Sequence, residues 1–283
     1  MDVAEINAID AGVPQFRRTF HYFKDRFALM LLSYVVGKGR AIRLLKQTRF
    51  AGLLQKPVVK RVCAGLGGGR LTPHALASVW PDDAEAFALS IGAWGEDGPW
   101  EPWLQTSRPG HNLVLHLDLT GSDCARCREA FDVQVKDWDV DSLHPWTKGA
   151  FTLAWARLDI DTSTGEALIE EVQSDMASSL RCVGWPLYGR LWDEAMLTAA
   201  IRFLRDDVGV HRIYYHTFEG GLRFKRFDTM WRCAPPRSLY TDLPRRFCFG
   251  LTDQPPKFLR HCRNRRVRKS VRRNRLPWHL LRV

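Results

Sequence analysis

Long apolar runs are missing from this chain. The longest, Phe27–Val36, is broken by Ser33 and falls short of the ~20 residues needed to cross a bilayer. No transmembrane segment is expected. The N-terminus is polar and acidic, so no signal peptide is expected either. The glycine-rich stretch Gly65-Leu66-Gly67-Gly68-Gly69-Arg70 lacks the Gly-Lys-Ser/Thr ending of a phosphate loop and the spacing of a dinucleotide site. It reads as a turn. The seven cysteines are scattered and odd in number, which argues against a disulfide framework and for reduced thiols in a cytoplasmic protein. One pair, Cys124-Ala125-Arg126-Cys127, has half of a zinc spacing. His111, His116 or His144 would be its partners, but no second pair follows at the expected distance. Two ordinary thiols are the alternative.

Acids are almost absent from two stretches. Residues 14–61 carry twelve Lys/Arg and a single acid, Asp25. Residues 257–283 carry eleven Lys/Arg and no acid. Each is worth +11, equal to the net charge of the whole 283-residue chain, so the remainder is −11. A mildly acidic body with two basic ends points to a polyanion, nucleic acid above all. The basic residues Arg263, Arg265, Arg266, Arg268, Lys269, Arg272 and Arg273 are candidate phosphate contacts. Few aromatics are interleaved, so sequence-tolerant, salt-sensitive binding is expected.

The apolar spacing of Phe16, Phe20, Phe23, Phe27, Met30, Leu31 and Tyr34 predicts a helix over 15–36. A second, basic amphipathic helix is expected over Ala41–Leu54. It would lie on its own domain, on a phosphate backbone or on a membrane surface. Short helices are expected from Thr72 and over Pro81–Gly92, with a Trp-rich loop over Trp94–Pro109. Asn112–Thr120 alternates and reads as a strand. Phe151–Asp161 and Ala167–Gln173 predict a hairpin across Thr162–Gly165. Leu191–Asp207 predicts a helix closed by Gly209, and Val210–Thr217 a strand. A short helix over Glu219–Phe227 and two short strands flanking Pro244 follow. From Gln254 the chain reads as a basic tail.

The densest polar cluster is Glu166-Ala167-Leu168-Ile169-Glu170-Glu171-Val172-Gln173-Ser174-Asp175. On a regular strand Glu171, Gln173 and Asp175 share one face, and Glu170, Val172 and Ser174 the other. Buried carboxylates need partners. With Arg157 on the preceding strand, this stretch resembles a domain found in large polyvalent proteins of phages and mobile elements. Its hallmark is a strand ending Glu-(Ile/Val)-Gln-Ser-Asp. Arg157, Glu171, Gln173, Ser174 and Asp175 match it, and the match spans about residues 145–250. Met176 and Trp155 stand where that family usually has an aromatic and a histidine.

Residues 210–227 resemble the closing half of N-acetyltransferase (GNAT) domains, with Phe224, Lys225 and Phe227 where an aromatic-lysine segment falls. The resemblance implies a GNAT-like α/β (α+β) fold: a mixed sheet with flanking helices. A helical basic region, 1–110, would precede the α/β domain, 111–253, and the tail, 254–283, would follow it. In such domains an acyl-CoA pyrophosphate sits on the loop opening the central helix, here Met176–Tyr188. That loop lacks the Arg/Gln-x-x-Gly-x-Gly pattern.

Three chemistries stand side by side. In an acyltransferase, Glu171 or Asp175 would be the base, and Tyr214, Tyr215 or Tyr240 the acid. Arg157 and Gln173 would complete the site, and Ser174 and Lys225 would contact acyl-CoA. In a PD-(D/E)xK-type nuclease, Asp159 or Asp161 with Glu171 would hold Mg²⁺. In a non-catalytic nucleic-acid-binding protein, Arg157 would pair with Glu171 or Asp175 in a structural network.

Overall fold

The computed structural model describes residues 1–13, 18–81, 84–96, 106–121, 151–174, 176, 186–225 and 236–283. In chain order the first elements are α1 (Val3–Gly12), β1 (Arg18–Tyr22), α2 (Arg26–Val35), β2 (Arg40–Ala41) and α3 (Ile42–Leu45). Then come α4 (Pro57–Ala64), β3 (Arg70–Leu71), α5 (Pro73–Ala77), β4 (Glu85–Glu96) and β5 (Gly110–Leu119). The hairpin β6 (Thr152–Asp161) and β7 (Glu166–Gln173) is followed by α6 (Pro186–Arg202), β8 (Arg212–His216) and α7 (Phe218–Phe224). The chain closes with α8 (Ser238–Arg246), β9 (Gly250–Thr252), α9 (Lys257–Arg260), α10 (Arg265–Asn274) and β10 (Trp278–Arg282).

Eight strands form one mixed sheet in the order β1-β4-β5-β6-β7-β8-β10-β9. Every neighbouring pair is antiparallel except β7 and β8, which are parallel. A parallel pair needs a crossover, and α6 is the helix that supplies it. Ala195, Met196, Ala199, Ala200 and Phe203 of that helical segment lie in the main core with Ala156, Leu158, Ile169, Val172, Ile213 and Tyr215 of the strands. A second, smaller core joins Leu168 and Tyr214 to Phe224, Phe258, Leu259, Val267, Val271, Trp278 and Leu280. Alternation sends neighbouring residues of β7 and β8 into the two cores, so the sheet is covered on both sides. Each buried Leu, Ile or Phe side chain contributes about 1.5–3 kcal/mol.

The expected α/β class, a mixed sheet with flanking helices, is therefore the observed one. The segments expected as separate regions, 1–110, 111–253 and 254–283, contribute strands to one shared sheet: β1 and β4 from the first, β5 (starting at Gly110) to β9 from the second and β10 from the last. The basic segment 254–283 is built into the fold. Its charges lie on exposed surfaces, while Val267, Val271, Trp278, Leu280 and Leu281 are buried and β10 sits between β8 and β9.

Other expectations shift too. In place of one helix over 15–36, β1 pairs with β4 and α2 begins only at Arg26, after Asp25 turns the chain at φ 65°. Phe20, Phe23 and Phe27 have helical spacing, but they straddle that turn. The expected helix over Pro81–Gly92 is instead β4, whose Phe87 and Leu89 point inward between small residues. Of the helix over Ala41–Leu54 only α3 and a short 3-10 turn over Ala51–Gln55 form. The two strands flanking Pro244 are replaced by α8. Proline removes a donor from that helix, and His279 Nε2 takes the carbonyl of Tyr240 at 2.8 Å. Arg246 pins α8 to α6 through Glu194, at 2.6 Å, and Asp193. Gly65–Arg70 is a turn, as expected, with Gly69 at φ +59°. Among the described residues no helix is long and apolar enough to cross a membrane.

Candidate functional site

The parallel pairing of β7 with β8 runs from Glu166 opposite Arg212 to Ile169 opposite Tyr215, and then stops. Beyond that point β7 stays with β6 alone. There its register slips: Arg157 faces Glu171 while Leu158 faces Ile169, so Glu170 is an extra residue. Bulges of this kind re-aim side chains. Val172 is back in the main core beside Ile169. The simple alternation that put Glu170 and Glu171 on opposite faces is thereby broken. Two adjacent glutamates enter a wedge that also receives Lys225, Tyr240 and His216.

Two linked sets of contacts fill the wedge. In the first, Arg157 donates to Glu171 Oε2, Lys225 Nζ lies 3.4 Å from the same oxygen, and Nζ is 3.2 Å from Tyr240 Oη. The Arg157 guanidinium also stacks over Trp155, 5.7 Å from the ring centroid. In the second, Glu170 accepts from the Ser107 backbone N–H at 3.0 Å, the Ser107 hydroxyl at 2.8 Å and His216 Nε2 at 3.0 Å. His216 packs against both Phe224 and Trp278, with centroids 5.9 and 5.0 Å away. All of these polar side chains are buried.

Electrostatics fix their protonation. Burial raises the Glu171 pKa, but the charges of Lys225 and Arg157 outweigh it and hold the carboxyl below its ordinary value. Burial likewise opposes ionisation of Glu170, and its hydrogen bonds from His216 and Ser107, together with the charge of Lys225, overcome that. Burial lowers Lys225 to about 8 against the pull of Glu171. His216 is pushed down by burial and is neutral at neutral pH. Tyr215 is pushed well up by burial and by the Glu171 charge, so it stays protonated. The wedge thus holds two carboxylates against one guanidinium and one ammonium. A carboxylate whose pKa is held down is a poor general base. Tyr215 Oη, Glu171 Oε1 and His216 Nδ1 of the wedge are among the buried polar atoms with no hydrogen-bond partner among the described residues.

The structure brings Arg157, Glu171, Tyr215 and Lys225 together, and sorts the other expected residues elsewhere. Gln173, opposite Trp155, is half-buried at the end of β7. The Ser174 hydroxyl donates to the carbonyl of Leu153 at 2.5 Å, tying down the strand end. Asp175, Cys124, Cys127 and His144 lie outside the described residues. Asp159 is gripped by Arg108 at 2.7 and 2.8 Å. Asp161 accepts from Ser163 and Thr164 in the hairpin turn. The acids assigned to Mg²⁺ therefore have separate partners, and among the described residues no three His, Cys, Asp or Glu side chains gather as a metal site. Of the residues assigned to acyl-CoA, Ser174 serves the strand end and Lys225 lies in the buried network. Of the loop expected to hold its pyrophosphate, only Met176 and the backbone from Pro186 are described.

Sequence reasoning missed Ser107, Glu170 and His216. Glu170 was hidden by the bulge, Ser107 stood in a Gly/Pro-rich loop, and His216 read as an ordinary strand residue.

The second charged region is α10. The Asn264 side chain caps it, accepting from the N–H groups of Arg266 at 2.9 Å and Val267 at 3.3 Å. Val267 and Val271, four apart, face the second core. That leaves Arg265, Arg266, Lys269, Arg272 and Arg273 exposed on the rest of the helix, with Arg263 exposed just before it. Arg268 turns back to the carbonyls of Cys262 and Arg263. One side of α10 lines a groove of about 900 Å³ with Arg223, Arg266, Lys269, Arg272 and Arg273. The other side lines one of about 1090 Å³ with Arg260, Arg268, Arg272 and Arg275, where Asp253 is the one acid among the lining residues described. Among the described residues none of the arginines or the lysine of α10 is in an ion pair.

Compared with family models, with curated proteins and with solved structures, the chain finds no match.

Proposed function

We propose that this chain is a nucleic-acid-binding protein that holds the phosphate backbone against α10 without reading base sequence. The observation that carries this reading is the unpaired basic face of α10. Its exposed arginines and lysine repel one another and are in no ion pair among the described residues, a cost that a polyanion removes. The helix is fixed in place by Val267 and Val271 in the second core and by β10 within the sheet. The face is thus a preset surface rather than a loose tail. Among the described residues no Phe, Tyr or Trp lines either groove and His261 is the one ring, which favours phosphate contact over base stacking. The buried wedge then acts as the structural network of Arg157, Glu171 and Lys225. The resemblance to a domain of polyvalent mobile-element proteins is compatible with a role beside DNA or RNA.

The test is fluorescence anisotropy with random-sequence single- and double-stranded oligonucleotides over a salt series. Five phosphate contacts predict a log–log slope near −4.5 on duplex, so affinity falls about 10²–10³-fold between 50 and 200 mM salt. A salt-independent affinity, or none at low salt, removes the reading.

An acyltransferase is kept as the second reading on one observation. The protonated Tyr215 hydroxyl and Glu171 Oε1 are buried and unsatisfied where β7 and β8 part. Acetyl-CoA turnover by the purified chain, lost in Tyr215→Phe, supports it. Absence of turnover with a panel of amines and basic polymers counts against it.

A further inference from the structure

A cavity of about 320 Å³ opens between β1, α2, α5 and the end of α6, and shares no lining residue with the wedge. Its walls are aromatic and aliphatic: Phe20, Phe23, Leu29, Leu76 and Trp80 among them. Trp80 is 55% exposed, the most exposed aromatic among the described residues. It is held at the rim by edge contacts to His21 and Phe23, at 5.2 and 6.4 Å between centroids.

The cavity also contains a cation with no anion. Arg26 lies between Phe20 and Trp80, its guanidinium carbon 5.1 and 5.3 Å from the two ring centroids. Its Nη1 is buried and has no hydrogen-bond partner. Among the described residues Arg26 is in no ion pair. The nearest acid of the lining, Asp206, is already committed: Tyr34 donates to it at 3.0 Å, Arg202 is 3.8 Å away and Arg205 3.5 Å. Burial, and then the charge of Arg202, hold the Arg26 guanidinium down to about 10. A buried guanidinium N–H without an acceptor is costly, and an anion satisfies it.

We propose that this cavity is a binding site for a small aromatic monoanion, its ring between Trp80 and the apolar wall and its carboxylate on Arg26. The volume sits at the lower end of ligand cavities, roughly 300–1,000 Å³. It suits a bicyclic aromatic acid better than a nucleotide or a long acyl chain. Apolar walls with a few polar groups have the composition that small-molecule sites share, and of the two lining arginines Arg202 is paired with Asp206 while Arg26 has no ion pair among the described residues. The proposal is independent of the α10 reading, since no lining residue of this cavity belongs to the basic grooves.

Indole-3-acetate and indole-3-acetamide have nearly the same shape and differ in charge. Isothermal titration calorimetry on the full chain compares them. The acetate is expected to bind, and the acetamide to bind at least about tenfold more weakly, the worth of one hydrogen bond to a charged group. In Arg26→Gln the two should bind alike. In Trp80→Ala both should weaken by a similar factor, because the stacking wall is lost while the cation stays. Equal binding of the two compounds by the wild type, or no binding of the acetate at millimolar concentration, overturns the proposal. If Arg26→Gln does not fold, the acetate-to-acetamide ratio in the wild type and in Trp80→Ala decides alone.

Discussion

The wedge between β7 and β8 and the outer face of α10 are both dense in charge, and they are opposites. In the wedge, Arg157 and Lys225 stand against Glu170 and Glu171, with every partner buried. On α10, arginines and a lysine stand exposed and in no ion pair among the described residues. The difference separates what charge does for the fold from what it does for binding. Inside, charge must be balanced, because an unpaired ion out of water is costly. Outside, water and salt tolerate imbalance, so an unbalanced helix face costs the fold little. Residue types alone do not distinguish the two: Arg157 and Arg266 are the same side chain with opposite consequences.

The largest effect is expected from splitting the balanced set. Arg157→Met keeps much of the volume but leaves Glu171 buried with Lys225 alone. Removing one partner of a buried pair costs ~3–5 kcal/mol, read as a lower midpoint in urea denaturation. Oligonucleotide affinity, measured where the variant is still folded, should stay near that of the wild type. A loss of under about 1 kcal/mol means the wedge is not a structural network.

Reversing four charges on the other region should do the opposite. Arg266→Glu, Lys269→Glu, Arg272→Glu and Arg273→Glu together should cost about 10²–10³-fold in oligonucleotide affinity at low salt. Stability should change little, since exposed substitutions are worth about ±0.5 kcal/mol each. Affinity unchanged by the fourfold variant would move the binding surface elsewhere or remove it.

This contrast also marks what was legible in the sequence. The β6–β7 hairpin, α6 and β8 were readable because each carries one clear period and a turn or glycine at its end. A pairing of Arg157 with Glu171 or Asp175 was readable as one of three alternatives, since the strands are adjacent, and Glu171 is the partner observed. The partition of the glutamates was not. A bulge at Glu170 is set by how β6 and β7 pair, and alternation cannot foresee it. Strand β10 was masked by its neighbours: Trp278-His279-Leu280-Leu281 is apolar enough for a sheet but follows a run of arginines that reads as tail. At the other end, the spacing of Phe20, Phe23 and Phe27 fits a helix, whereas the backbone turns at Asp25 and splits it. Ser107 and His216 reach Glu170 only through tertiary structure, across 63 and 46 residues.

Acid should separate the two regions next. Glu170 and Glu171 are held below their ordinary values when folded. Their stabilisation is present above the unfolded carboxylate value and is lost as pH falls through the folded one. His216 is also held down, so the unfolded chain takes up a proton first and stability drops as pH falls below about 6.5. All three act in one direction. Denaturation midpoints should therefore fall from pH 6.5 towards pH 4, and His216→Gln should flatten the upper part of that fall. Guanidinium groups do not titrate in this range, so affinity for oligonucleotide should change far less than stability. A parallel decline of both would tie the basic face to the wedge.

The smallest effect is the most discriminating, because one residue touches both regions. The Ser107 hydroxyl donates to Glu170 and lies 2.8 Å from His216 Nε2. Ser107 also lines a recess of about 100 Å³ with Arg223, Arg266 and Ser270 at the edge of the basic groove. Ser107→Ala removes one hydrogen bond to a charged carboxylate but leaves the backbone N–H donor in place. A loss of about 1–2 kcal/mol in denaturation is expected, with oligonucleotide affinity within about twofold. That result keeps the balanced interior and the unbalanced surface as separate devices. The reverse, affinity lost with stability intact, would mean that a phosphate reaches Ser107 through the recess. The wedge would then be the floor of the binding site and not merely its support.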